Sequence, residues 1–310
     1  IRIYIMFKKT LIAAAVATLA SSVAMADVSV SGAVKLTVGD TDGSTGDYAP
    51  SLNGSELTFK ASEDLGNGIT AFAQTTINNV AAGTAGEPSY KDQKLGLKGS
   101  FGTIVGGRME TLTEGAVSSM MDDGASTHEA NTQLESSLTN FGRVNALAYI
   151  SPTVNGVHVA VAGVLDGTNN ATDDGDGMFR STDLLIAYDN GPLSVKASLA
   201  NLDGTGAAAD TDVTTLAASY KVGDLKLAAM TVKSETDGAA SVNDNMYRAD
   251  YAMGNNVITL GMRDDEAGDD LTTVKLTHKM SKRTALWLGH RSKDAAAAGD
   301  VTHFGMIHKF

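Results

Sequence analysis

Val28-Ser29-Val30-Ser31-Gly32-Ala33-Val34-Lys35-Leu36-Thr37-Val38 places Val28, Val30, Val34, Leu36 and Val38 on one parity and Ser29, Ser31, Lys35 and Thr37 on the other. Successive side chains of a strand point to opposite faces, so this segment carries one apolar and one polar face. A tilted strand of about ten residues crosses a bilayer. The pattern returns along the chain. Leu57, Phe59 and Ala61 oppose Glu56, Thr58, Lys60 and Ser62, and Leu95 and Leu97 oppose Lys94 and Lys98. Leu193, Val195, Ala197 and Leu199 oppose Ser194, Lys196 and Ser198; Val274 and Leu276 oppose Thr273, Lys275 and Thr277.

The connections sort by length. Short ones carry turn chemistry: Asp64-Leu65-Gly66-Asn67-Gly68, Asp189-Asn190-Gly191-Pro192, Val222-Gly223-Asp224, Gly254-Asn255-Asn256 and Ser281-Lys282-Arg283. Gly and Asn supply positive φ and Pro presets φ, as hairpins require. Long ones are polar and rich in Gly and Asp, at 40–54, 78–89, 109–141, 165–180, 201–212, 234–243, 264–270 and 291–300. Alternating long and short connections predict an all-β chain: a transmembrane antiparallel up-and-down β-barrel of about 16 strands, both termini on the short-turn side. A soluble two-layer β protein has no reason to sort its loops in this way. Near-neutral mean hydropathy, −0.05, fits alternating strands. Phe304, Met306, His308 and Phe310 share a parity at the far end, and Tyr149, Tyr188, Tyr220 and Tyr251 lie near short turns, as an interfacial aromatic girdle would place them.

Ahead of the strands, Met6-Phe7-Lys8-Lys9, the Ala-rich stretch Thr10 to Val23 and Ala24-Met25-Ala26 form a basic head, an apolar middle and a small-residue cleavage site. These are the parts of a secretory signal peptide. Residues 1–26 are therefore expected to be Ile1 to Ile5 as upstream residues plus a leader, Met6–Ala26, removed on export; 27–310 is the barrel. Removing residues 1–26, which hold three bases and no acid, leaves 284 residues and a formal charge of −15. That acidity excludes a nucleic-acid partner of the usual basic kind. Cysteine is absent, so no disulfide contributes.

Catalytic signals are lacking. His128-Glu129 has no second histidine for a zinc site, and no phosphate loop or Gly-x-Ser-x-Gly turn occurs. Asp173-Asp174-Gly175-Asp176-Gly177 lacks the spaced ligands of a calcium loop and reads as solvated chain. No enzyme, cofactor or metal is expected.

Several segments resemble the Gram-negative general porin family. Ser62-Glu63-Asp64-Leu65-Gly66-Asn67-Gly68 is similar to its first periplasmic turn. Leu95-Gly96-Leu97-Lys98-Gly99-Ser100-Phe101-Gly102-Thr103 with Gly107-Arg108 is similar to the strand pair entering its third loop; Arg143, Asn145, Tyr149, Ser151 and Pro152 are similar to the strand leaving it. Ser281-Lys282-Arg283-Thr284 and the closing Phe310 complete the set. The resemblance implies a sixteen-stranded barrel in a homotrimer, with its long third loop folded inward to narrow a water-filled channel for small hydrophilic solutes. It also implies an outer-membrane location among lipid and lipopolysaccharide, and recognition of Phe310 by the barrel-assembly machinery. The chain departs from the family at Ser55-Glu56, where an arginine commonly follows the serine.

On that resemblance, the pore lies between two charged surfaces. The third loop carries Glu110, Glu114, Asp122, Asp123, Glu129 and Glu135 and no base from Met109 to Asn140. The wall is expected to offer Lys35, Lys60, Lys94, Lys98 and Arg108, together with Glu56 and Arg143. Opposed charges across a narrow aqueous gap sort solutes by charge. Counting the loop acids against these bases predicts a weak preference for cations.

Overall fold

A computed structural model describes residues 27–41, 49–52, 54–80, 88–121, 143–165, 178–203, 209–266, 268, 270–294 and 300–310. The expected leader, residues 1–26, lies outside the described residues, as do Asp122, Asp123, Glu129 and Glu135. The chain begins with β1 (Asp27–Thr41), β2 (Ala49–Ser51), β3 (Glu56–Gly66), β4 (Ile69–Asn78), β5 (Ser89–Gly99) and β6 (Gly102–Glu110). A helix, α1 (Leu112–Met121), follows β6. Then come β7 (Arg143–Ile150), β8 (Val157–Leu165), β9 (Phe179–Asn190), β10 (Leu193–Leu202), β11 (Thr211–Val222) and β12 (Leu225–Thr236). The last are β13 (Val242–Met253), β14 (Asn256–Asp265), β15 (Leu271–Lys279), β16 (Thr284–Lys293) and β17 (Val301–Lys309).

All these strands join one antiparallel sheet in which β2 and β3 both pair with β1 and, from β3 on, each strand pairs with the next in the chain. The short β2 pairs with Thr37–Gly39 of β1, and β3 takes the rest of that edge, Asp27–Ala33. The two thus share one wall position, so the wall has sixteen. The opposite edge of β1 pairs with β17 from Ala33↔Lys309 to Thr41↔Val301, which closes the sheet into a barrel. Closure matters because hydrocarbon offers no partner to a free backbone N–H or C=O, each of which would cost several kcal/mol.

The seam ends on the terminal residue. Gly32 and Phe310 exchange both backbone hydrogen bonds at 3.0 Å. The Phe310 ring lies over Gly32 so closely that an added Cβ there would stand 2.7 Å from the ring and 2.5 Å from the Glu56 carbonyl oxygen. Gly32 interrupts the apolar parity of β1 because the last aromatic occupies its place.

The alternation of β1 takes the sense expected. Val28, Val30 and Val34 face outward and are exposed, while Ala33, Lys35 and Thr37 face the lumen and are buried. Ladder register carries this assignment around the wall. Outward come Phe59, Leu95, Leu97, Ile186, Leu199, Leu216, Leu260, Val274 and Phe304, all exposed. Tyr149, Tyr188, Tyr220 and Tyr251 share that outer register close to the short turns. The turns also use the residues expected of them: Gly66, Asn67 and Gly68 have φ of 80°, 53° and 73°, and Gly191, Gly223 and Gly254 are likewise positive.

Register yields a direct test. Lys60 faces the lumen opposite Ser29, and Phe59 faces outward opposite Val30. In the folded protein in lipid, we expect Lys60→Cys to react with a charged, water-soluble thiol reagent and Phe59→Cys to be protected. The reverse labelling would contradict the register.

Candidate functional site: the lumen and its inner helix

The described part of the third long connection lies inside the barrel. Thr111 caps α1, its hydroxyl accepting from the Glu114 N–H at 3.2 Å. Two residues on, in the first turn, the Thr113 N–H donates to Asp183 Oδ2 at 2.9 Å. The Thr113 hydroxyl donates to Asp183 Oδ1 and shares a second bond with Ser198 Oγ, each 2.9 Å long. Asp183 on β9 and Ser198 on β10 both occupy the lumen register, opposite Ala162 and Leu185 respectively. A carboxylate thus meets the positive end of the helix dipole.

The other end of α1 is held by cations. Arg248 on β13 donates to the Met121 carbonyl, and Lys226 on β12 reaches the Met120 carbonyl at 3.5 Å. Positive charge at a helix C-terminus complements the dipole and satisfies carbonyls left without an intrahelical partner. Between the two latches, Met120 and Met121 are buried against Ala200, Val213, Ala217, Ala228, Met230, Val232 and Met246. Alanines at three of these wall positions leave room for the flexible methionine side chains.

A second charged group stands where β3 to β7 end at the long connections. Glu56 pairs with Lys91 at 3.1 Å. Arg143 binds Asp92 at 3.2 Å and also Glu110, and Gln74 donates to the other oxygen of Asp92 at 3.3 Å. Glu114 on α1 faces this group. Burial, and then the neighbouring Glu110 carboxylate, raise its pKa above the usual glutamate value against the lowering pull of Arg143. Below α1, Asp92, Lys94, Glu110, His158 and Lys196 line a cavity of about 430 Å³ between the helix and the wall.

Lys35, Glu56, Lys60, Lys94 and Lys98 all take the lumen register, as anticipated. Lys35 is buried, Lys60 is exposed, and Lys98 lies near the inner mouth beside Thr70 and Thr103. Arg143 shares the outward parity of Leu147 and Tyr149, but it opens its strand at the rim, where its guanidinium pairs with Asp92 and Glu110. Arg108 is a correction. Val105, Gly107 and Met109 take the inward register, so Arg108 turns to the outer face between Gln93 and Asn145. Resemblance at Gly107-Arg108 had placed it on the wall, but strand parity decides against that position.

The sequence reading missed the latch residues Thr113, Asp183, Ser198, Lys226 and Arg248. It also missed the buried lumen bases Arg263 and Arg291 and left Lys275 out of the wall, although alternation had set Lys275 opposite Val274 and Leu276. A signal existed: each shares parity with lumen residues once Tyr247, Leu260, Val274 and Leu288 are assigned to lipid. Arg248 and Arg263 are held by acids on their own or adjacent strands, Asp250 for the first and Asp244 and Asp265 for the second.

A closed antiparallel barrel, apolar outside, polar inside and partitioned by a helix, is an outer-membrane channel. The chain belongs to the Gram-negative porin family: the sequence profile of that family matches residues 13–297. It is 29% identical to outer membrane porin protein 32 of Delftia acidovorans over 94% of this chain and 92% of that one. It is 36% identical to the major outer membrane protein P.IB of Neisseria lactamica over 115 residues, about a third of the length of either protein (34%). Among solved structures, an anion-selective porin from Comamonas acidovorans superposes with a TM-score of 0.72 at 24% identity, over 92% of this chain and all of that one. The trimer form of OmpT from Vibrio cholerae superposes with a TM-score of 0.69 at 12% identity, covering 92% of this chain and 99% of that one. The protein is therefore an outer-membrane porin, a channel protein.

The latch at the N-terminal end of α1 can be cut without touching the sheet. Asp183→Ala removes two hydrogen bonds to a charged group, each worth about 1.5–3 kcal/mol. We expect the barrel to stay folded, shown by unchanged heat-modifiable migration, while single-channel conductance becomes noisier and larger. Unchanged, quiet conductance would mean that Asp183 does not position α1.

Proposed function

We propose that the porin is a general diffusion channel for small hydrophilic solutes and inorganic ions, with a weak preference for anions. The carrying observation is the pair of buried lumen bases Lys275 and Arg291, joined on β1 by Lys35; the neighbouring Arg248 and Arg263 are balanced by Asp250 and by Asp244 and Asp265. The sequence arithmetic behind a cation preference weighed the acidic loop against a wall of five bases. Arg108 leaves that wall, but Lys275 on β15 and Arg291 on β16 replace it. On the acidic side, Glu56 and Glu110 are engaged by Lys91 and Arg143, and burial raises the pKa of Glu114. Charges beyond about 8 Å are screened at physiological salt, so groups at the narrow level outweigh the overall charge. The anion-selective solved porin of the same fold agrees in sign. The competing reading, weak cation preference, rests on Asp122, Asp123, Glu129 and Glu135.

Reversal potential in a potassium chloride gradient decides between these. We expect chloride to be favoured, and Lys275→Gln with Arg291→Gln to shift the potential toward potassium. A wild-type pore that favours potassium would overturn the anion reading.

We further propose a homotrimer, surrounded by outer-membrane lipid and lipopolysaccharide, whose mature chain starts at Asp27 after leader removal. Phe310, the last rung of the seam, fits the proposed role of a signal to the barrel-assembly machinery. Support for the trimer comes from the outer face. Thr75, Gln93, Arg108 and Asn145 lie side by side across β4 to β7 as a polar row on the outer face, next to the apolar Leu95 and Leu147. An arginine facing lipid costs about 2–4 kcal/mol at the bilayer midplane, a cost that a polar subunit contact removes. We expect Arg108→Leu to fold as a barrel yet release monomers at lower temperature on a semi-native gel. Release at unchanged or higher temperature would place Arg108 against lipid.

A further inference from the structure

At the short-turn end of the barrel, Lys221, Lys226, Lys279, Lys282, Arg283 and Lys309 line one cavity of about 590 Å³. Lys221, Lys279 and Lys309 reach it from the inward registers of β11, β15 and β17, and Lys282 and Arg283 from the turn between β15 and β16. The acids of the lining are Asp224 and Asp250. Asp250 is already engaged, accepting from Arg248 Nε and Nη2 at 2.9 Å and from the Thr259 hydroxyl at 2.6 Å. Among the described residues, Lys221, Lys279, Lys282, Arg283 and Lys309 take part in no ion pair.

The fold does not need the two turn bases. The Met280 and Ser281 N–H groups donate to the Thr284 carbonyl at 2.9 and 3.1 Å. The Ser281 hydroxyl accepts from the Arg283 and Thr284 N–H groups at 3.1 and 3.0 Å. Backbone and one serine close this turn, leaving both cationic side chains without a structural task. The opposite end has the reverse charge. Among the described residues, the strand ends and long connections there carry Asp203 and Asp210, then Asp237, then Asp264, Asp265, Glu266 and Asp270, and then Asp294 and Asp300.

We propose that the basic vestibule at the short-turn mouth is a binding site for small multivalent phosphate anions, entered from the periplasmic side. Like charges around a concave, low-dielectric wall focus their field into the opening and raise the local concentration of counter-ions. A condensed phosphate can touch several ammonium groups at once and accept a paired bond from the Arg283 guanidinium, whereas chloride meets one charge at a time. The acidic opposite mouth repels the same anion, so the site is one-sided. This reading is independent of the sign of selectivity for simple salt, because it concerns the mouth and not the narrow level beside α1.

The test is single-channel recording of the intact porin in neutral lipid at about 0.1 M potassium chloride, where charges act over about 10 Å. Inorganic pyrophosphate is added to one side and then, after washing, to the other. We expect reduced, noisier current from one face only, at concentrations about tenfold lower than from the other, a difference of about 1.4 kcal/mol. Lys282→Glu with Arg283→Glu should erase that asymmetry, while heat-modifiable migration stays normal. In bilayers containing anionic lipid the one-sided effect should persist. Equal effects from both faces, no effect, or an unchanged asymmetry in the double variant would overturn the proposal. So would loss of the effect in anionic lipid, which would assign these bases to lipid headgroups.

Discussion

In hydrocarbon every backbone N–H and C=O must find a partner within the protein, and the architecture here follows from that constraint. A strand alone satisfies none of its own groups, so the sheet must close. It closes along β1, whose upper part pairs with β2, whose lower part pairs with β3, and whose other edge pairs with β17. The last rung is the exchange between Gly32 and Phe310. Once the ring is closed, each strand has one face for lipid and one for water, and the alternation that opened the sequence becomes an inside and an outside.

A barrel of this size leaves an interior that side chains alone do not fill. The third long connection uses that space, and α1 is held there by electrostatics rather than by chain tension. Its N-terminal end meets the buried carboxylate of Asp183, its C-terminal end meets Arg248 and Lys226, and its methionines fill a pocket lined by alanines. Position and polarity are thus specified together, since the reversed helix would place a carboxylate against carbonyls. The same arrangement brings Glu114 beside Glu110, where burial and like charge favour its protonated form.

Much of this was legible beforehand. Alternation in β1, β3, β5, β10 and β15 identified both faces correctly, and Lys35, Lys60, Lys94 and Lys98 were found on the lumen by parity. Gly-Asn-Gly at 66–68 marked its turn through positive φ. Where the reading relied on resemblance without checking parity, it failed: Arg108 sits next to a glycine in a familiar pattern, yet its neighbours Met109 and Val105 take the inward side. Arg248 and Asp183 escaped notice for a different reason. Each sits on the inward parity of its strand like any other lumen residue, and nothing local shows that a helix 60 to 130 residues away will end against it.

The sequence by itself determined a closed, alternating barrel with sorted connections, because side-chain parity and turn chemistry are local properties that a few adjacent residues carry. It determined the total charge and the acidity of the long connections for the same reason. Only the tertiary structure decided which charges meet. Asp183 with Thr113, Arg143 with Asp92 and Glu110, and the lysines gathered at the inner mouth are products of register around a ring. Register couples strands that are distant in sequence, and one residue of shift would send every one of those charges to the other face.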